Sequence, residues 1–148
     1  MAWTEIALRL GAAALIGAVI GLDRELRHKS AGVRTIGLVA LGAALATLTM
    51  SLETTDISAA SRVLQGALAG IGFLGAGVIM RHRGTVEGLT TAAAIWISAA
   101  LGAGAGLGAW IPVGIGTAIA LVLLVVAGWV EFFLKHPNER SETRKRTT

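Results

Sequence analysis

Residues 63–80 read VLQGALAGIGFLGAGVIM, eighteen positions with no charge and five glycines. At about 1.5 Å per residue this run makes roughly 27 Å of helix, close to the thickness of a bilayer's hydrocarbon core. In water each glycine would weaken a helix by about 0.8–1 kcal/mol relative to alanine. In lipid a backbone amide has no alternative partner, so the helix tolerates them. What the glycines supply is a surface almost without side chains. Gly66 and Gly70 form a GxxxG, and Gly72, Gly75 and Gly77 continue it. The run therefore specifies a membrane helix made for close contact with another helix.

The rest of the chain has the same character. Only 15% of its 148 residues are charged, against about 25% in a soluble domain. The charges cluster at 23–34, 81–87 and 131–146, with long apolar runs between them. Residues 1–135 read as one transmembrane domain and 136–148 as a short basic tail, expected to be disordered and drawn to anionic lipid. There is no room for a separate soluble catalytic domain. The chain has no cysteine, which excludes disulfides and thiolate chemistry. A pI near 10.7 does not point to nucleic acid, because a membrane protein keeps such basic residues on its cytoplasmic side. The N-terminus lacks a basic leader and a cleavage site, and reads as the start of an uncleaved first helix.

Five spans emerge, at about 4–22, 35–52, 62–80, 89–107 and 110–134. The predicted fold is an all-α transmembrane bundle of five helices. Eleven of the thirteen Lys and Arg residues fall in the loops after spans one and three and in the tail. The positive-inside rule then puts the N-terminus outside and the C-terminus in the cytoplasm. Trp3, Trp110 and Trp129 fall near span ends, as an aromatic belt requires. Trp96 lies about 10 Å deep in span four, either as a lipid-facing filler or as the wall of a cavity. Residues 20–45 can be laid on 76–101, so the two helical hairpins could form a parallel repeat about an axis along the membrane normal. Similarity among Ala/Gly/Leu-rich helices is weak ground for that.

Polar residues gather where span one leaves the membrane. Asp23 and Arg27 are four apart, as are Glu25 and Lys29, which fits local ion pairs of an interfacial anchor. The functional reading groups Asp23, Arg24, Glu25, Arg34 and Thr35, with Asp23 facing Arg34, since unpaired charge at that depth is costly. Glu87, Thr90 and Thr91 of the second loop would join this cluster if the hairpins meet. At the outer face Glu5 and Arg9 make an i,i+4 pair. Arg62 snorkels at the mouth of span three, and Gln65, one turn deeper, is expected to hydrogen-bond across helices. GxxxG pairs recur at Gly17/Gly21, Gly66/Gly70 and Gly102/Gly106. His28, His82 and His136 lack metal-ligand spacing, and Asp23, Glu25 and Glu87 are too few for a Mg²⁺ site. Gly70–Gly75 formally fits GxGxxG but lies mid-span with no preceding strand, so no nucleotide site is expected. Neither a catalytic grouping nor a cofactor is expected.

Three blocks, IGLDRELRHKSAGVRT (20–35), GIGFLGAGVIMR (70–81) and VEGLTTAAAIWISAALG (86–102), together resemble the MgtC/SapB family of bacterial inner-membrane proteins. The resemblance covers about residues 6–130. It implies a link to growth in low magnesium and, in pathogens, to survival inside host cells. It also implies, for some members, restraint of the membrane-embedded ATP synthase. Longer members carry a cytoplasmic C-terminal domain, which this short form is expected to lack. Motif positions in this chain are Glu25, Gly32, Arg34, Thr35, Gly70, Gly72, Gly75, Gly77, Gly88, Thr90, Thr91 and Trp96. Two functions stay open at this stage. One is a regulatory membrane protein, a homodimer or the partner of another membrane complex such as the ATP synthase. The other is a small homo-oligomeric transporter or channel for Mg²⁺ or another cation.

Overall fold

The computed structural model describes residues 1–53, 56–82 and 85–135. Five helices follow one another: α1 (Trp3–Leu26), α2 (Val33–Glu53), α3 (Ile57–Val78), α4 (Leu89–Gly106) and α5 (Trp110–Lys135). The first four are long and apolar enough to cross a membrane. The fifth is continuous in helix and carries an apolar segment over Trp110–Val126. These elements match the five spans read from hydropathy, with two extensions. α1 runs a further turn through its charged end. α3 starts a turn earlier because the Asp56 carboxylate accepts the Ser58 N–H at 2.9 Å, satisfying a donor that the first turn leaves open. The Ser58 hydroxyl and N–H together hold the Asp56 carboxyl below its ordinary pKa.

One element departs from the all-α reading. Between α3 and α4 the chain forms a two-stranded antiparallel ribbon, β1 (Met80–His82) with β2 (Thr85–Glu87). Gly88 closes it at φ 90°, and a Cβ there would overlap the Val78 carbonyl at the end of α3. The turn thus needs a residue with no side chain twice over, for its dihedral and for its contact.

The centre of the bundle is α4, which touches each of the other four helices. Ten of its eighteen residues are buried. In lipid no hydrophobic force drives helices together, so association depends on close packing and interhelical hydrogen bonds. The glycines provide the first. A Cβ on Gly102 would overlap the Ala40 carbonyl of α2, and one on Gly106 would overlap the Ala44 carbonyl a turn further along. On α1, a Cβ on Gly17 would lie 2.7 Å from the Ile36 carbonyl oxygen, and one on Gly21 2.7 Å from Val33 Cα. Ala13, Ile20, Ile36, Ala94 and Ile95 fill the space between these contacts. The second force is present too: the Thr47 hydroxyl of α2 lies 2.9 Å from the Ala103 carbonyl of α4.

α3 differs. Gly75 makes only ordinary contact with Ala92, while Gly66, Gly70, Gly72 and Gly77 have nothing within 4 Å of where a Cβ would sit. Four of the five glycines in the run that announces the fold therefore face away from the rest of the described chain. Phe73 beside them is 81% exposed. The two hairpins also close differently. Gly21 touches Val33, whereas Gly77, its counterpart in the proposed repeat, touches nothing. Trp96 is half-exposed on the outer side of α4, the lipid-facing position of the two considered.

The two glycine classes should separate cleanly in a melting experiment on the full chain in detergent. Gly102→Ala must push α2 and α4 apart, and should lower stability by about 2 kcal/mol or more. Gly66→Ala meets open space, and should leave the melting midpoint unchanged or slightly raised.

Candidate functional site

The site lies at the charged end of α1, which the distribution of Lys and Arg assigns to the cytoplasm. α1 stops there in a turn with two reversed hydrogen bonds: the His28 N–H reaches the Glu25 carbonyl and the Lys29 N–H reaches the Arg24 carbonyl, both at 3.0 Å. His28 occupies the left-handed position at φ 53°, a conformation that histidine adopts more readily than most side chains. The reversal drops Gly32 and Val33 onto Gly21 and starts α2. The Glu25 carboxylate then accepts the Val33 N–H at 3.0 Å. A carboxylate beside the first turn of a helix also complements the helix dipole.

Arg24 points the other way, into the bundle. It is 3% exposed, and its Nη2 donates to Thr91 Oγ1 of α4 at 3.0 Å. Asp23 pairs with Arg27, Nε to Oδ1, at 2.9 Å. Asp23 Oδ2 is buried and accepts no hydrogen bond among the described residues, which leaves this carboxylate strongly dependent on its one ion pair. The Arg27 guanidinium lies against α5, where any Cβ on Gly128 would overlap it. One turn of α1 thus carries two polar fastenings, Glu25 to α2 and Arg24 to α4, while Arg27 packs against α5.

The opposite end has a matching device. α4 ends in the same kind of turn, here with Gly108 at φ 75°. The Gly108 and Ala109 N–H groups take the Ala105 and Gly104 carbonyls. The Gly106 carbonyl receives Arg9 Nη1 at 3.1 Å. The expected Glu5–Arg9 pair is present at 2.8 Å. Arg9 is therefore both a local ion-pair partner and a cation at the negative end of the α4 dipole.

Of the residues grouped from sequence, the structure brings together Arg24 with Thr91 and Glu25 with the start of α2. It does not pair Asp23 with Arg34. Arg27 lies four residues along the same helix and takes Asp23 without any chain reversal. Arg34 and Thr35 are exposed beside the turn, and Glu87 and Thr90 are exposed on and after the ribbon. The second loop contributes Thr91 alone, because only that face of the first α4 turn looks inward. Arg62 and Gln65 are exposed on α3, so the Gln65 side chain is not buried against a neighbouring helix. His136 and the basic tail lie outside the described residues. Among the described residues no group of three or more His, Asp or Glu side chains could hold a metal ion. Ser98 was not singled out from sequence. It is 0% exposed, two turns beyond Thr91 on the same α4 face, with its hydroxyl unbonded among the described residues.

Residues 10–133 match the MgtC family. The chain belongs to it. This MgtC-family chain is 46% identical to protein SrpB of Synechococcus elongatus, over 82% of its own length and 74% of that protein. It is 50% identical to protein MgtC of Salmonella typhimurium over 64% of its length, and 46% identical to protein MgtC of Brucella abortus over 69%. The matched regions span 40% and 44% of those two proteins. No solved structure matches the chain. Family membership and the apolar helices together make it a multi-pass membrane protein.

The Arg24–Thr91 contact should appear as a coupling energy. Arg24→Met and Thr91→Val each remove one side of a buried hydrogen bond, and each should cost roughly 1–3 kcal/mol of stability in detergent. The double variant should cost less than the sum, by at least about 0.5 kcal/mol. Strict additivity would mean that the two side chains do not interact.

Proposed function

We propose that this protein acts in adaptation to low magnesium, from the bacterial inner membrane, by docking its α3 glycine face against another transmembrane helix. The observation that carries this reading is the contrast between the two sets of glycines. Gly17 and Gly21 of α1 and Gly102 and Gly106 of α4 are consumed inside the bundle, whereas Gly66, Gly70, Gly72 and Gly77 meet nothing there. Glycines that weaken a helix and close no contact within the chain are suited to a contact outside it. A second copy of the chain is the simplest occupant, and a membrane-embedded partner such as the ATP synthase is the regulatory one. The link to magnesium rests on membership of the MgtC family, and the chain spans only part of its MgtC relatives. The interior between α1, α2 and α4 is filled with Ala13, Ile20, Ile36, Ala94 and Ile95, which favours a contact role over ion passage through one protomer. A catalytic role is not part of the proposal.

Two measurements test it. The wild-type chain in mild detergent should have the mass of a dimer, and Gly66→Leu/Gly70→Leu should shift it to the 15.1 kDa monomer with its helix content intact. In a strain lacking the gene, the wild type should restore growth in low magnesium and the variant, inserted at equal level, should not. Restoration by the variant would contradict the contact role. Mg²⁺ flux into proteoliposomes above that of empty vesicles would support the transporter instead.

A further inference from the structure

Two depressions follow one face of α2. The first, of about 680 Å³, lies at the turn between α1 and α2 and is lined by Glu25, His28, Lys29, Gly32, Arg34 and Thr35. The second, of about 400 Å³, is an apolar groove between α2 and α3, lined among others by Leu38, Gly42, Ala67 and Ile71. Their α2 linings are in register. Arg34, Leu38 and Gly42 are spaced by four, as are Thr35, Val39 and Ala43, so both depressions lie on one stripe of the helix. From Arg34 to Gly42 the stripe runs about 12 Å along the axis. Its polar end is at the edge of the apolar span, and its apolar end is at acyl-chain depth.

From this register we propose that the α2 face seats one anionic phospholipid of the cytoplasmic leaflet. The phosphate would lie against Arg34, Lys29 and the Thr35 hydroxyl, with one acyl chain in the groove over Gly42. Charge decides between headgroups. Lys29 and Arg34 bring two positive charges to the upper depression, and the single carboxylate there, Glu25, already accepts the Val33 N–H. A lone carboxylate is too few ligands for a divalent cation, whereas two cations and a hydroxyl suit a phosphodiester. Shape decides for a lipid over a free anion. The groove continues the same stripe, and Gly42 keeps it open, with nothing within 4 Å of where its Cβ would stand. This seat lies on the α2 side of α3 and does not depend on what the outward glycines of α3 touch.

Native mass spectrometry of the full chain, released from detergent with an equimolar mixture of phosphatidylglycerol and phosphatidylcholine of the same acyl chains, tests the assignment. The wild type should retain one phosphatidylglycerol in preference to phosphatidylcholine. Arg34→Gln should reduce that preference about fivefold, the value of one basic residue near an anionic surface. Gly42→Leu fills the groove without touching the core, and should lose both lipids while the melting midpoint holds. Glycerol 3-phosphate, the headgroup portion alone, should compete only weakly. Equal retention of the two lipids by the wild type would overturn the proposal, and so would a preference unchanged in Arg34→Gln. Undiminished retention in Gly42→Leu, or glycerol 3-phosphate binding as well as the lipid, would overturn the acyl seat.

Discussion

Everything in this bundle depends on how closely α2 and α4 approach. Gly102 lies on the Ala40 carbonyl and Gly106 on the Ala44 carbonyl, backbone against backbone over a full turn. No larger residue fits at either position. α1 lies against α2 through Gly17 and Gly21, and the small residues Ala13, Ala44 and Ala105 close one end of the interior. In a bilayer this geometry replaces the hydrophobic effect as the source of cohesion, because lipid chains solvate a leucine as well as a protein interior does. The polar contacts then act as end fastenings. Arg24 on Thr91 fixes one end of α1 to α4, and Arg9 on the Gly106 carbonyl fixes the other.

The same constraint explains why α3 stands apart. α2 and α4 have already used their tightest faces on each other, and α3 meets them with side chains such as Leu64, Leu68 and Ile71. Its glycines are left outward, and a groove opens between α2 and α3. These are the two surfaces on which the proposals rest: a helix face of outward glycines around the exposed Phe73, and a furrow whose polar end carries Arg34.

The spans were legible because their signal is length and hydropathy, which do not depend on tertiary contacts. The roles of the glycines were not, since GxxxG reads the same on a buried face and an outward one. Only the structure separates Gly102/Gly106 from Gly66/Gly70. Arg24 could have been placed from sequence. It continues the α1 stripe of Ala13, Gly17, Ile20 and Gly21 at helical spacing, and a charge on a buried stripe must find a partner inside. The Asp23–Arg34 pairing failed for a local reason, since α1 stays helical through Leu26 and keeps Arg27 one turn from Asp23. The ribbon at Met80–Glu87 left no hydrophobic alternation to read, because its three-residue strands are too short to show a period. Two of the resemblance blocks coincide with places where the backbone is tightly constrained: Gly21 and Gly32 at the first turn, and the left-handed Gly88 with Gly102.

The central claim, that α2 and α4 meet face to face in the membrane, is open to direct measurement because the chain has no cysteine of its own. Ala43 and Ala99 belong to one buried cluster between the two helices. In native membranes, Ala43→Cys/Ala99→Cys should be joined within one chain by a short thiol-reactive cross-linker, giving a shifted monomer band. Leu38→Cys/Trp96→Cys, two exposed positions on the same helices, should not be joined within one chain. Cross-linking of the exposed pair, with none at 43 and 99, would contradict the account.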